Sequence, residues 1–206
     1  MISYMLAVTN LSFERYFSPV FQPLSFTVGK GDLVLVTGAN GSGKTTLLQL
    51  LAGLLTPTEG TIEAREPVLY SGHKVAIKDD LSVAENIRFM LQFMQRRKSA
   101  PGSVKDLIKA VGLIPVAHQH GRTLSAGQRK RCAMARLLFC KERLWLLDEP
   151  YSNLDENGTA LLNRILQNHL QGGGACIMAS HGSLRPDHID FREIEIQNAR
   201  TMAGAA

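Results

Sequence analysis

Leu33-Val34-Leu35-Val36-Thr37-Gly38-Ala39-Asn40-Gly41-Ser42-Gly43-Lys44-Thr45-Thr46 is the stretch from which the rest of the chain can be read. Leu33 to Val36 is a short unbroken apolar run, the pattern of a central strand buried on both faces. Gly38 to Thr45 follows at once and fits G-x-x-x-x-G-K-[S/T]. Glycines in that pattern let successive backbone N–H groups turn inward around phosphate oxygens. Thr45 to Leu51 then reads as a helix ending near Gly53, and its N-terminus adds partial positive charge at the loop. In this arrangement Lys44 reaches the β- and γ-phosphates, the Thr45 hydroxyl takes Mg2+, and Thr46 meets an inner phosphate.

Outward from this unit, Leu24, Phe26 and Val28 alternate with polar residues as a half-buried strand, and Gly29 to Asp32 turn the chain. Pro57-Thr58-Glu59-Gly60 reads as a turn between strand-like pieces. The middle changes to helical periodicity. Ser82 and Glu85 form a capping box ahead of Val83, Ile87, Met90, Leu91 and Met94. Ser103 and Asp106 open a second helix with Val104, Leu107, Ile108 and Val111 on one face and Gly112 as its stop. Later, Leu144–Leu147 and Ala175–Ala179 read as buried strands, with a helix through Leu161, Leu162, Ile165 and Leu166 and a break at Gly172 to Gly174. Ile194 and Ile196 suggest a last strand. Strands alternating with helices predict an α/β fold with a mainly parallel core sheet. One domain over 1–206 is expected, with 74–124 as a helical insert between core segments 1–73 and 125–206.

Bulk properties narrow the class. The chain has 206 residues, 45% apolar and 20% charged, and a net charge of +5. That is a globular composition with a charge mild enough to fit an anionic ligand, lipid headgroups or nucleic acid alike. No stretch approaches the roughly 18 apolar residues of a spanning helix. Met1 to Val8 lacks the basic and apolar regions of a signal peptide, so a cytoplasmic protein is expected. Cys132, Cys140 and Cys176 are odd in number with no Cys-x-x-Cys pair, which predicts reduced thiols rather than disulfides or zinc ligands. His118 and His120 are two loop histidines without further ligands, and surface exposure is expected of them.

Leu144-Trp145-Leu146-Leu147-Asp148-Glu149-Pro150 is an apolar strand ending in two carboxylates. Ligands of parallel sheets sit beyond the carboxyl ends of strands. Asp148 is therefore expected to hold Mg2+, directly or through water, and Glu149 to orient or deprotonate an attacking water. The same residues would also suit a helix start.

Leu124-Ser125-Ala126-Gly127-Gln128 separates this chain from other proteins with such a phosphate loop. Placed before a helix and ahead of the acidic strand, it resembles the signature of the ATP-binding-cassette (ABC) ATPases, and the resemblance covers nearly the whole chain. It implies the ABC-type P-loop fold with N-terminal antiparallel strands, ATP and Mg2+ as ligands, and hydrolysis of ATP. Ser125 is expected to cap the helix and leave N–H groups for a γ-phosphate. Ser152-Asn153-Leu154-Asp155 looks like the D-loop, with Asp155 facing a partner, and His181 looks like the switch histidine at the γ-phosphate. In this family the signature of one copy closes on ATP held by the other, so the resemblance implies a homodimer with two ATP molecules between the copies.

Two positions depart from the family pattern. The aromatic residue that normally stacks on adenine is represented by Tyr16 or, by spacing, Arg15, either of which can pack on the ring. The usual Gln after the strand leading into the insert is replaced at this position by His73, a shorter group that titrates near neutrality. Gly72-His73, the Leu-Ser-Ala-Gly-Gln signature, the short insert and the overall length are together similar to the ATP-binding subunits of bacterial cytochrome c maturation haem exporters. That likeness implies integral membrane permease partners, peripheral attachment to the cytoplasmic face of the inner membrane, and no haem binding by this chain itself. An ATPase for another exported substrate is the nearest alternative. A non-transport ABC ATPase on nucleic acid is less favoured: Arg96-Arg97-Lys98 and Arg129-Lys130-Arg131 are basic, but the second run falls in the signature helix.

Overall fold

The structure, a computed structural model, describes residues 4–72, 75–94, 103–180 and 185–198. Met1–His73, Glu142–Pro150 and Leu166–Ala206 form one compact unit; Lys74–Lys141 and Tyr151–Ile165 form another. In chain order the first unit begins with β1 (Tyr4–Ser12), β2 (Glu14–Arg15), β3 (Ser18–Pro19), β4 (Leu24–Gly29), β5 (Leu33–Thr37), α1 (Lys44–Leu51), β6 (Glu59–Ala64) and β7 (Val68–Ser71). The second unit holds α2 (Val83–Met94), α3 (Val104–Ala110) and α4 (Ala126–Met134). The chain then returns through β8 (Leu144–Asp148), runs along α5 (Glu156–Gln171), which passes from the second unit to the first at Leu166, and ends with β9 (Ala175–Ala179) and β10 (Arg192–Glu195).

In the first unit the apolar runs become the centre of a five-stranded parallel sheet ordered β10-β5-β9-β8-β7. Leu33 to Val36, Leu144 to Leu147 and Ala175 to Ala179 are all buried, as strands covered on both faces must be. Helix α1 lays Leu47, Leu48, Leu50 and Leu51 into the same core. A separate antiparallel sheet, β4-β1-β6, contributes Met5, Leu6, Val8, Leu11 and Val28 to that core. Because β5 and β8 are both near the sheet centre and parallel, the phosphate loop and Asp148 emerge at the same carboxyl edge.

Two details differ from the sequence reading. The turn expected over Pro57–Gly60 is shorter, because Glu59 and Gly60 already belong to β6, where Glu59 pairs with Ser12 across a bulge in β1. The last strand stops at Glu195; Ile196 is buried beyond it and its N–H donates to the Thr37 carbonyl at 2.8 Å.

The second unit is helical. Ser82 and Glu85 cap α2 reciprocally: the Glu85 carboxylate accepts from the Ser82 N–H (2.8 Å) and hydroxyl (2.7 Å), while the Glu85 N–H donates to the Ser82 hydroxyl at 3.3 Å. Ser103 and Asp106 do the same for α3. Val83, Ile87 and Leu91 of α2 and Leu107 and Ile108 of α3 are buried, and α2 packs on both α3 and α4. That packing groups α4 with the insert helices, so this unit extends well beyond residue 124 to Lys141.

All three cysteines are free thiols. Burial pushes the Cys132 thiol up to about 12, against the opposing pull of Arg129, and pushes Cys176 up as well. Only the thiolate is nucleophilic. Native protein treated with iodoacetamide at pH 8 is therefore expected to label half-buried Cys140 and spare Cys132 and Cys176 until denaturant is added, as read by peptide mass spectrometry. Equal labelling of all three in the native state would contradict the burial.

Candidate functional site

The phosphate loop is held tightly. Gly38 has φ 138, and a Cβ there would stand 2.5 Å from the Ile196 carbonyl oxygen and 2.7 Å from Ser42 Oγ, so no side chain fits. Ser42 is buried and its hydroxyl has no hydrogen-bond partner among the described residues. Lys44 is 5% exposed, and its ammonium donates to the Gly38 carbonyl at 2.7 Å and the Ala39 carbonyl at 2.9 Å. Burial lowers the Lys44 pKa, while Glu149 and Asp148 pull it back toward the charged form. The ammonium therefore rests on weak neutral acceptors, where an anionic phosphate would be a better partner.

Asp148 ends β8 at 2% exposure, and its Oδ2 accepts from the Thr45 hydroxyl at 2.9 Å. Mg2+ favours oxygen ligands in octahedral geometry with bonds of about 2.1 Å, which puts adjacent ligands about 3 Å apart. The Thr45 and Asp148 oxygens stand at that spacing, so this pair fits the ion. Asp148 also raises the Tyr70 pKa, after the larger effect of burial.

Glu149 follows with φ 50, in the left-handed region. That conformation costs a non-glycine residue about 1–2 kcal/mol, and a residue before proline is ordinarily held extended. Strain at such a position is characteristic of functional sites. The alternative of a helix-capping acid pair does not hold: α5 starts at Glu156, and Asp155 caps it by accepting from the Gly158 N–H at 2.8 Å.

A cavity of about 330 Å³ is lined by Arg15, Ser18, Pro19, Val20, Gly41, Gly43, Lys44, Thr45, Thr46 and Asn198. Of the two residues considered for the base, Arg15 lines it. Tyr16 does not; it is 90% exposed and, with Phe17, takes a positive φ at the tip of the β2–β3 hairpin. Val20 and Asn198 were not legible as site residues. Val20 carries no motif, and Asn198 reaches the cavity only through its bridge to Phe21, 177 positions earlier in the chain.

In the second unit, Leu124 anchors the signature turn in the interior while Ser125 and Ala126 are exposed. Ser125 Oγ accepts from the Gln128 N–H at 3.2 Å, and Gln128 Oε1 accepts from the Ser125 N–H at 2.9 Å. One helix-start N–H is thus already taken by the cap. His73 and His181 lie outside the described residues. His118 is exposed, and His120 Nδ1 lies 3.1 Å from the Asp80 carbonyl oxygen.

Comparison with known families matches residues 21–152 to the ABC transporter family. The chain belongs to the ABC transporter family. It is an ABC-type ATPase. Its relatives include the cytochrome c biogenesis ATP-binding export protein CcmA of Xanthomonas axonopodis pv. citri, 43% identical over 95% of both chains. The protein of the same name from Nitrobacter winogradskyi is 44% identical, covering 87% of this chain and 92% of the relative. Among solved structures, an ATP-binding cassette in a dimeric post-hydrolysis state bound to ADP and Pi superposes with a TM-score of 0.77 at 20% identity, covering 94% of each chain; that likeness concerns the fold. Among the described residues, no helix of this ABC protein is long and apolar enough to cross a membrane.

Proposed function

We propose that this chain is the ATP-hydrolysing subunit of an exporter that moves haem for the maturation of c-type cytochromes. The observation that carries the reading is the 43% identity, spread over 95% of both chains, to a relative named for cytochrome c biogenesis and export. Two copies work together, each holding one ATP on its own P-loop and covering the other's with its signature turn.

Within one copy, Lys44 and the Gly38–Thr46 backbone bind the triphosphate, and Arg15 packs on the base. Thr45 and Asp148 hold Mg2+, which when bound neutralises phosphate charge. Glu149 accepts a proton from the attacking water at its carboxylate and is aimed by its left-handed backbone. His181 is the expected γ-phosphate contact, and His73 stands where the family's nucleotide-sensing Gln usually does. Binding draws the copies together, and product release lets them part, a ligand-biased two-state cycle.

The membrane partner docks on the second unit. Helix α2 there exposes Phe89 (42%) and Phe93 (75%), stacked at 6.2 Å with the Lys78 ammonium over the Phe89 ring at 4.3 Å. Exposed paired aromatics of this kind mark interaction surfaces. The basic residues of α4 do not support a nucleic-acid role: Arg129 donates to Asp79 (2.5 Å) and the Gly121 carbonyl (2.7 Å), and Lys130 to Ser152.

Deleting the gene from its host tests the assignment, with covalently haem-bound cytochromes read by haem-peroxidase staining of membranes. Loss of staining, restored by the wild-type chain and not by Lys44→Ala, is expected. Normal c-type cytochromes in the deletion strain would assign the chain to another exported substrate.

A further inference from the structure

The residues that follow the signature turn along α4 reach toward the D-loop. Lys130 Nζ donates to Ser152 Oγ at 3.2 Å. The Arg131 guanidinium stands with Nη2 4.0 Å from Asp155 Oδ2, and its side chain is only 19% exposed. Its Nε is buried without a hydrogen-bond partner among the described residues. Between these two contacts, a Cβ on Gly127 would lie 3.0 Å from the Asn153 carbonyl oxygen, so the helix start and the loop backbone already touch. The loop is itself firmly shaped. The Leu154 N–H donates to the Tyr151 carbonyl, Asn153 takes φ 60, the Tyr151 hydroxyl donates to Asn163, and Asp155 caps α5.

We propose that Lys130 and Arg131 are positioning residues that fasten the Tyr151–Asp155 loop to the signature helix, so that signature and D-loop meet the partner copy as one rigid edge. The inference rests on the pairing of two copies proposed above and adds how one copy keeps two separate segments in register. Arg131 is the adjustable element. A buried guanidinium N–H without an acceptor is costly, and the nearest carboxylate stands just beyond hydrogen-bond range. An approach of about 1 Å brings Nη2 within hydrogen-bond distance of the Asp155 carboxylate, a charge-assisted contact. The loop therefore tightens on the helix when closure of the pair presses on it. Arg129 is turned away to Asp79, which leaves this task to its two neighbours.

A double-mutant cycle on the intact transporter tests this. Arg131→Gln removes the charge at similar volume, and Asp155→Asn removes the opposing charge while keeping a good cap for α5. Each single variant is expected to lower kcat for ATP by about tenfold, the low end of what a charged hydrogen bond is worth, with KM for ATP changed less than twofold. The double variant should fall no further than the worse single one. Should Arg131→Gln fail to fold, the Lys130→Ala and Ser152→Ala cycle reads the same fastening. Losses that simply multiply, or unchanged kcat in the single variants, would overturn the inference. If the wild-type complex turns over ATP normally and the cycle multiplies, only the fastening is wrong; if wild type shows no ATP turnover, the proposed function falls instead.

Discussion

Glu149→Gln is expected to reduce ATP turnover by about 10²-fold or more, the usual contribution of a positioned general base, while leaving ATP affinity within a few-fold of wild type. Gln has the shape of Glu but cannot take a proton from water. The backbone that aims the side chain, with φ 50 at residue 149 and an N–H donating to the Ala179 carbonyl at 3.0 Å, is untouched by the substitution. Binding and turnover should therefore separate. With ATP bound and not consumed, paired copies should accumulate, visible as ATP-dependent dimer by light scattering after size exclusion. Turnover at the parent rate would remove Glu149 from the role given it here.

Lys44→Ala should produce the opposite pattern. The ammonium is buried against two backbone carbonyls, and burial already disfavours its charge. Removing it from the nucleotide complex loses a charge-assisted contact worth about 1.5–3 kcal/mol. Affinity for ATP should fall about 10- to 100-fold, the rise in melting temperature that ATP gives wild type should largely vanish, and turnover should drop to background. ATP stabilising Lys44→Ala as well as it does wild type would show that the triphosphate is not held at this loop.

Much of the core was legible because its signals are local. Leu33–Val36 and Leu144–Leu147 are unbroken apolar runs bounded by glycine or by acids, and both are central strands. The capping box at Ser82 and Glu85 is a short pattern and appears as hydrogen bonds at those residues, and the helix starts read at Ser103 and Ser125 are both capped, each by a reciprocal box. Of the antiparallel sheet, β4 was legible from its alternation, but β1 and β6 were not. In β1 the alternation is broken at Asn10, which takes φ 46 at a register shift. Strand β6, of sequence Glu-Gly-Thr-Ile-Glu-Ala, is mostly exposed, so it carries almost no apolar signal and is a strand because β1 offers it a ladder. The same holds at the site. The motif residues Lys44, Thr45, Asp148 and Glu149 could be named from spacing. Asn198 in the cavity wall, the lining of that cavity by Arg15 and not Tyr16, and the Lys130 and Arg131 contacts with residues 152 and 155 depend on segments brought together by the fold.

The triphosphate is expected to join two copies, with the Gly38–Thr45 loop of one facing the Leu124–Gln128 turn of the other. A structure of the Glu149→Gln protein with Mg-ATP measures this directly, through the distance from the γ-phosphate to Ser125 of the opposing copy. Hydrogen-bonding distance is expected at both sites of the pair. ATP seated on the P-loop with the opposing signature turn well beyond that reach, or with no second copy present, would contradict it.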